Sequence, residues 1–210
     1  MLKNTITGLL ILSCSGCVLL EKKDPIAPVI DPADAPVVPL TPVATPISAA
    51  ECAGDMALPV EFSRKFTAVS DPELLEQSIG EPTEGRLCQG QVYVAKHNTQ
   101  IMLFRGWNGS NPASEFGEWW ALKSPRGQIA QYRSDYQICY QWSPLDKMTL
   151  CSLKAGAKVV IGTGQSATCS SYLNYPSSAK KQVYIANADA DLFDCSSYNA
   201  EFNWTPIIND

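Results

Sequence analysis

Residues 103–125 read LFRGWNGSNPASEFGEWWALKSP and hold three of the chain's five tryptophans. The stretch parses into four pieces. An apolar run, residues 100–106 (QIMLFRG), ends in Arg105-Gly106 and reads as a strand. Asn108-Gly109 is a strong turn dipeptide, and the polar segment after it reads as a loop. Residues 118–122 (EWWAL) form a second short strand, in which alternation sends Trp119 and Trp120 to opposite faces. Ser124-Pro125 has the composition of a helix start, followed by Ile129, Tyr132 and Tyr136 at helical spacing. A strand–loop–strand–helix order at the centre of the chain points to an α+β fold.

The flanking sequence extends this pattern. Ser70-Asp71-Pro72-Glu73 places a hydroxyl at an N-cap, a proline in the first turn and a carboxylate at the third position, and Leu74, Leu75 and Ile79 supply an apolar stripe before Gly80 and Pro82. Residues 91–96 (QVYVAK) and 100–106 are expected to form a hairpin around His97-Asn98-Thr99. Further strands are expected over 136–142, 148–153, 157–162, 182–187 and 199–204, separated by the turn-like SPLD, KAGA and YPSS. The expectation is a single β-rich, disulfide-bonded α+β domain over residues 51–210, with a few short helices.

That domain holds Cys52, Cys88, Cys139, Cys151, Cys169 and Cys195. An even set in an exported chain reads as a disulfide framework. Many connectivities are possible; neighbour pairing, 52–88, 139–151 and 169–195, is expected because each pair closes a modest loop. Within residues 51–210 no Cys-x-x-Cys occurs and His97 is the one histidine, so no metal site is expected.

Export is suggested by the N-terminus. Residues 1–16 carry Lys3 as their only charge, an apolar run over 6–12 too short to span a bilayer, and then small residues. The segment resembles the signal of bacterial lipoproteins, in which a small residue precedes the cysteine that is lipidated and becomes the new N-terminus. Cys14 and Cys17 both qualify; Cys17 gives the longer signal. A plain secretory signal is the alternative. The resemblance implies a chain held in the bacterial cell envelope by acyl chains, and the lack of Asp after either cysteine implies the outer membrane. Residues 17–50 then bring proline at every third or fourth position from Pro25 to Pro46. This composition favours an extended, semi-rigid tether. Net charge is −5 with no basic cluster, which argues against nucleic acid as a partner.

The common catalytic sets are missing. There is no Gly-x-Ser-x-Gly, and a triad could use only His97, which falls in an expected turn. Gly162-Thr163-Gly164-Gln165 lacks the lysine of a phosphate loop and reads as a turn. Glu115, Glu118 and Asp135 read as solvated charges that no spacing forces together.

One constellation stands out. Arg105-Gly106 closes a strand, Gly117-Glu118-Trp119-Trp120 follows, then a helix carrying Tyr132, and late in the chain a strand opening at Gln182. Over residues 100–185 this order resembles the mono-ADP-ribosyltransferase-like domains of bacterial secreted proteins. The resemblance implies that Arg105 binds the phosphates or ribose of NAD, that Trp119 or Trp120 walls the nicotinamide, and that Gln182 occupies the place of the ribose-directed residue. Two positions depart from that family: Ala121 stands where Ser or Thr is usual, and Gln182 where a catalytic Glu is usual. A neutral amide stabilises an oxocarbenium-like transition state far less than a carboxylate does. Two function classes are therefore carried forward. One is a binding domain with a Trp-rich face for a protein or glycan in the envelope, needing no cofactor. The other is an NAD-binding ADP-ribosyltransferase-like enzyme, or an inactive relative of one.

Overall fold

The computed structural model describes residues 52–199, and within them the chain forms a mostly β fold with four short helices. In chain order these are α1 (Val60–Ser63), β1 (Phe66–Ala68), α2 (Pro72–Ser78), β2 (Leu87–Ala95), β3 (Met102–Trp107), β4 (Trp119–Ala121), α3 (Ile129–Tyr136), β5 (Lys147–Leu153), β6 (Lys158–Gly164), β7 (Ala167–Ser170), β8 (Leu173–Tyr175), β9 (Ser178–Tyr184), α4 (Ala188–Asp191) and β10 (Leu192–Asn199). Eight strands make one sheet in the order β1-β2-β6-β9-β4-β3-β5-β10, and β7 and β8 form a separate hairpin. Every strand pair in the large sheet is antiparallel.

The sheet buries both faces. On one, Phe66, Leu103, Trp120, Val159, Ile161, Val183 and Ile185 belong to the main core. On the other, α2 lays Leu74, Leu75 and Ile79 over Leu87, Val92, Val160 and Tyr184. The cap of α2 is one residue later than expected: Asp71, not Ser70, accepts from the Leu74 amide at 3.2 Å, with Pro72 at the first helical position.

Several local expectations are corrected. Residues 91–106 do not form a hairpin, because β2 pairs with β1 and β6 whereas β3 pairs with β4 and β5. Tyr93 and Ala95 of β2 and Ile101 and Leu103 beside or within β3 bury in the same core cluster, so their apolar patterns identify the layer but not the neighbour. The helix expected at Ser124 starts instead at Ile129, after Gly127 at φ 81°. Residues 136–142 are not a strand: Gln137, left-handed at φ 50°, ends α3, and a turn follows with Trp142 N–H donating to Cys139 O. The β7–β8 hairpin and β10 were not anticipated, and the strand expected at 199–204 falls almost wholly outside the described residues, as do the signal, both lipidation candidates and the tether.

Three disulfides close the domain. Cys52–Cys88 is the expected pair, but the other two cross the expected neighbours, as Cys139–Cys169 and Cys151–Cys195. The reason is tertiary. Cys151 in β5 lies beside the irregularity of β10 that holds Cys195, and Cys139, just past α3, meets β7. Each bridge closes 30 to 44 residues and contributes about 3–4 kcal/mol by restricting the unfolded chain.

Candidate functional site

The site forms where the large sheet comes apart. β3 and β4 share one register pair, Phe104↔Ala121. Beyond it β3 runs on beside β5 and β4 beside β9, so the two halves of the sheet diverge. A cavity of about 330 Å³ lies at this split, at the small end of the range of roughly 300–1,000 Å³ for small-molecule sites. Arg105, Trp119, Trp120, Tyr132 and Gln182 all line it. The five residues singled out in the sequence thus come together, although 77 positions separate the first from the last.

Arg105 bridges the split. Its Nε donates to Ser114 O at 2.8 Å and its Nη1 to Trp119 O at 2.7 Å. Both acceptors are backbone carbonyls, Trp119 O of β4 and Ser114 O of the loop between β3 and β4, so the guanidinium ties that loop to β4. Burial lowers its pKa to about 10, and nearby Tyr132 and Glu118 work in the other direction, so the group remains a cation at neutral pH. A Cβ at Gly117 would overlap this guanidinium, and one at Gly106 would come within 3.0 Å of Leu145. Gly117 thus lets the guanidinium lie close against the backbone, and Gly106 leaves room for Leu145.

The two adjacent indoles divide their work as alternation predicts. Trp120 is buried in the core, and its Nε1 donates to Gly117 O at 2.7 Å. Trp119 faces the second layer and packs against the Tyr184 ring, with centroids 5.0 Å apart. Trp107 is buried as well, its Nε1 donating to Thr149 Oγ1. Among the described residues the strongly exposed indole is Trp142, so the residues read as a Trp-rich face are mostly internal walls.

Gln182 is locked in place by Gln137, which the sequence did not single out. Gln182 Nε2 donates to Gln137 Oε1 at 2.8 Å, and Gln137 Nε2 donates in turn to Ser134 O at 2.8 Å and Asp135 O at 3.3 Å. Gln137 is only 2% exposed. Any side chain at Gly164 would overlap this amide pair. The Gly162-Thr163-Gly164 sequence read as a turn is the end of β6, and its last glycine makes room for the amides. The signal for Gln137 was its place after an eight-residue helix, which reading 136–142 as a strand concealed.

Phenols complete the inner wall. The rings of Tyr132 and Tyr136 lie 4.6 Å apart between centroids. Burial raises the pKa of Tyr132, as does the neighbouring Tyr136, while Arg105 opposes. Burial, helped by Asp135, pushes Tyr136 up to about 12.

Among the described residues the hydrogen-bond partner of Gln182 is the Gln137 amide, and Glu84 is the acidic residue that lines the cavity, from its exposed rim. Glu118 is exposed and accepts from Tyr184 Oη at 3.2 Å. Glu115 is not a simple solvated charge, since it accepts from the hydroxyls of Thr149 and Ser197. Asp135 accepts from Gln131 Nε2 at 2.8 Å and lies 3.6 Å from Lys180 Nζ. His97 occupies an exposed turn. Among the described residues no group of three or more His, Cys, Asp or Glu is arranged to hold a metal ion, and no helix is long and apolar enough to cross a membrane. No family model, no curated protein and no solved structure matches this chain.

Proposed function

We propose that this chain is a lipid-anchored protein of the bacterial cell envelope, attached through Cys17 or Cys14, whose domain binds a small polar ligand in the Arg105–Trp119–Gln182 cleft without transferring any part of it. The carrying observation is the convergence of Arg105, Trp119, Trp120, Tyr132 and Gln182 on one cavity, with a neutral amide, fixed by Gln137, at its polar end. On the resemblance of residues 100–185 to ADP-ribosyltransferase-like domains, such a cleft would stand where that family binds NAD, with an amide in the place of its catalytic carboxylate. Transfer from NAD requires stabilising positive charge that develops on the ribose, and an amide does little for that charge. Three disulfides favour an oxidising compartment, in keeping with export.

The test has two arms. The purified chain incubated with NAD should release no nicotinamide above the buffer rate. A thermal-shift screen of nucleotides, sugars and amino acids should return a stabilising ligand whose effect disappears in Gln182→Ala. Nicotinamide release that Arg105→Ala abolishes would replace this reading with the enzymatic one.

A further inference from the structure

Resting on the reading of the cleft as a ligand site, we infer that its ligand is a neutral oligosaccharide, with one sugar ring in the cavity and a neighbouring ring laid over Trp142 at its lip.

The inner polar groups favour an uncharged, hydroxyl-rich ligand. Gln137, Gln182, Asn108, Ser114 and Ser143 line the cavity, and amides and hydroxyls both donate and accept, as sugar hydroxyls do. The inner cation, Arg105, already gives two of its nitrogens to backbone carbonyls. At the rim Glu84 and Arg86 carry opposite charges. A cationic ligand would meet a lining with more positive than negative groups, and an anionic one would meet inside only a guanidinium with two nitrogens already committed, so either would leave water at a cost.

The apolar groups favour a ligand that continues beyond the cavity. Trp142 lines the cavity yet is 53% exposed. The tip of its six-membered ring lies close to Gly85, where a Cβ would be 3.5 Å from Cη2, while about half of the residue stays open to solvent. The Cys139–Cys169 bridge and a 2.7 Å bond from Gln141 Nε2 to Cys169 O fasten the segment bearing Trp142 to the β7–β8 hairpin. Tyr172, at the tip of that hairpin, is 96% exposed and does not line the cavity. A large aromatic ring at the mouth of a cavity marks an interaction site, and the C–H face of a sugar suits such a flat, weakly polar surface.

The lip is also set in advance. Thr83, Gly85 and Arg86 adopt φ of 78°, 80° and 67°, a costly conformation for the two non-glycine residues. Gly85 N–H donating to Ser166 O and Thr168 N–H donating to Thr83 O hold the turn in place. A rigid platform reduces the ordering cost of binding.

The full-length chain in detergent should be titrated calorimetrically with mono- through hexasaccharides of N-acetylglucosamine and of glucose, and separately with NAD. Affinity for one series should rise with chain length. Trp142→Ala should weaken it on the order of tenfold. Tyr172→Ala, at a hairpin tip outside the cavity lining, and Tyr198→Ala, on the exposed edge strand β10, should change nothing. Absence of binding to both series, or unchanged affinity in Trp142→Ala with its melting temperature preserved, would overturn the assignment. NAD binding without sugar binding would overturn it while leaving the cleft as a ligand site; binding of neither would count against both.

Discussion

The two halves of the sheet solve the same problem by different means. Between β2 and β6 seven register pairs run without a gap wider than one irregularity, and α2 seals that face with Leu74, Leu75 and Ile79. Between β3 and β4 there is one pair. The fully paired half needs only aliphatic packing, because its backbone polar groups are spent on the ladder. The parted half must recruit Arg105 to tie its loop to β4, a locked amide pair for its floor, and Gly106, Gly117 and Gly164 for clearance. Opening a sheet creates a cavity only if side chains take over the hydrogen bonding that strands would have supplied.

Substitutions in the two regions should therefore fail differently. Phe66→Ala, in edge strand β1 beyond β2 and buried, should cost about 3–5 kcal/mol in denaturant unfolding and leave ligand affinity untouched in the folded fraction. Removing the Cys139–Cys169 bridge by double substitution to alanine should cost about 2–4 kcal/mol. That loss should also weaken the cleft, because Gln137, Ile138, Trp142 and Ser143 line it, and limited proteolysis should cut there first. Arg105→Met, at the parting of β3 from β4, should cost about 1–3 kcal/mol by stranding the Ser114 and Trp119 carbonyls. Equal effects of Phe66→Ala and Arg105→Met on ligand affinity would erase the distinction between the two regions.

The smallest effect is an alkaline one. Tyr132 and Tyr136 hold their phenolic protons more tightly folded than unfolded, because burial disfavours the phenolate. A group whose folded pKa is raised stabilises the fold below its unfolded pKa, and that contribution is lost as pH climbs toward the folded value. For Tyr136 the window runs from an unfolded value of about 10 to about 12. Denaturation midpoints should decline across that window, and Tyr136→Phe should flatten the decline. An unaltered slope in that variant would assign the sensitivity to groups other than Tyr136, with Tyr132→Phe as the next test.

Much of this contrast was readable before the fold was known, and the reasons for what was not are physical. Trp119 and Trp120 were separable because a strand has a period of two, and the gathering of Arg105, Tyr132 and Gln182 followed from the order of elements. The partners of β2 were not readable. Local pattern says which residues are buried but not which strand lies alongside, and β6, β9 and β4 all intervene between β2 and β3. The same limit misassigned two disulfides, since Cys151 meets Cys195 only once β10 has docked on β5. Gln137 was missed because its importance lies in a left-handed backbone and a contact with Gln182, 45 residues away, neither of which leaves a compositional mark.

The Cys52–Cys88 bridge has a mechanical consequence. It joins the first described residue of the domain to β2 by a covalent link that bypasses everything between them. Tension applied to the chain ahead of Cys52 would enter the sheet at Cys88, in a strand paired on both sides with β1 and β6. Residues 53–87, with α1, α2 and the turn at 83–86 that carries the cavity lip, lie outside the shortest covalent path of such a pull.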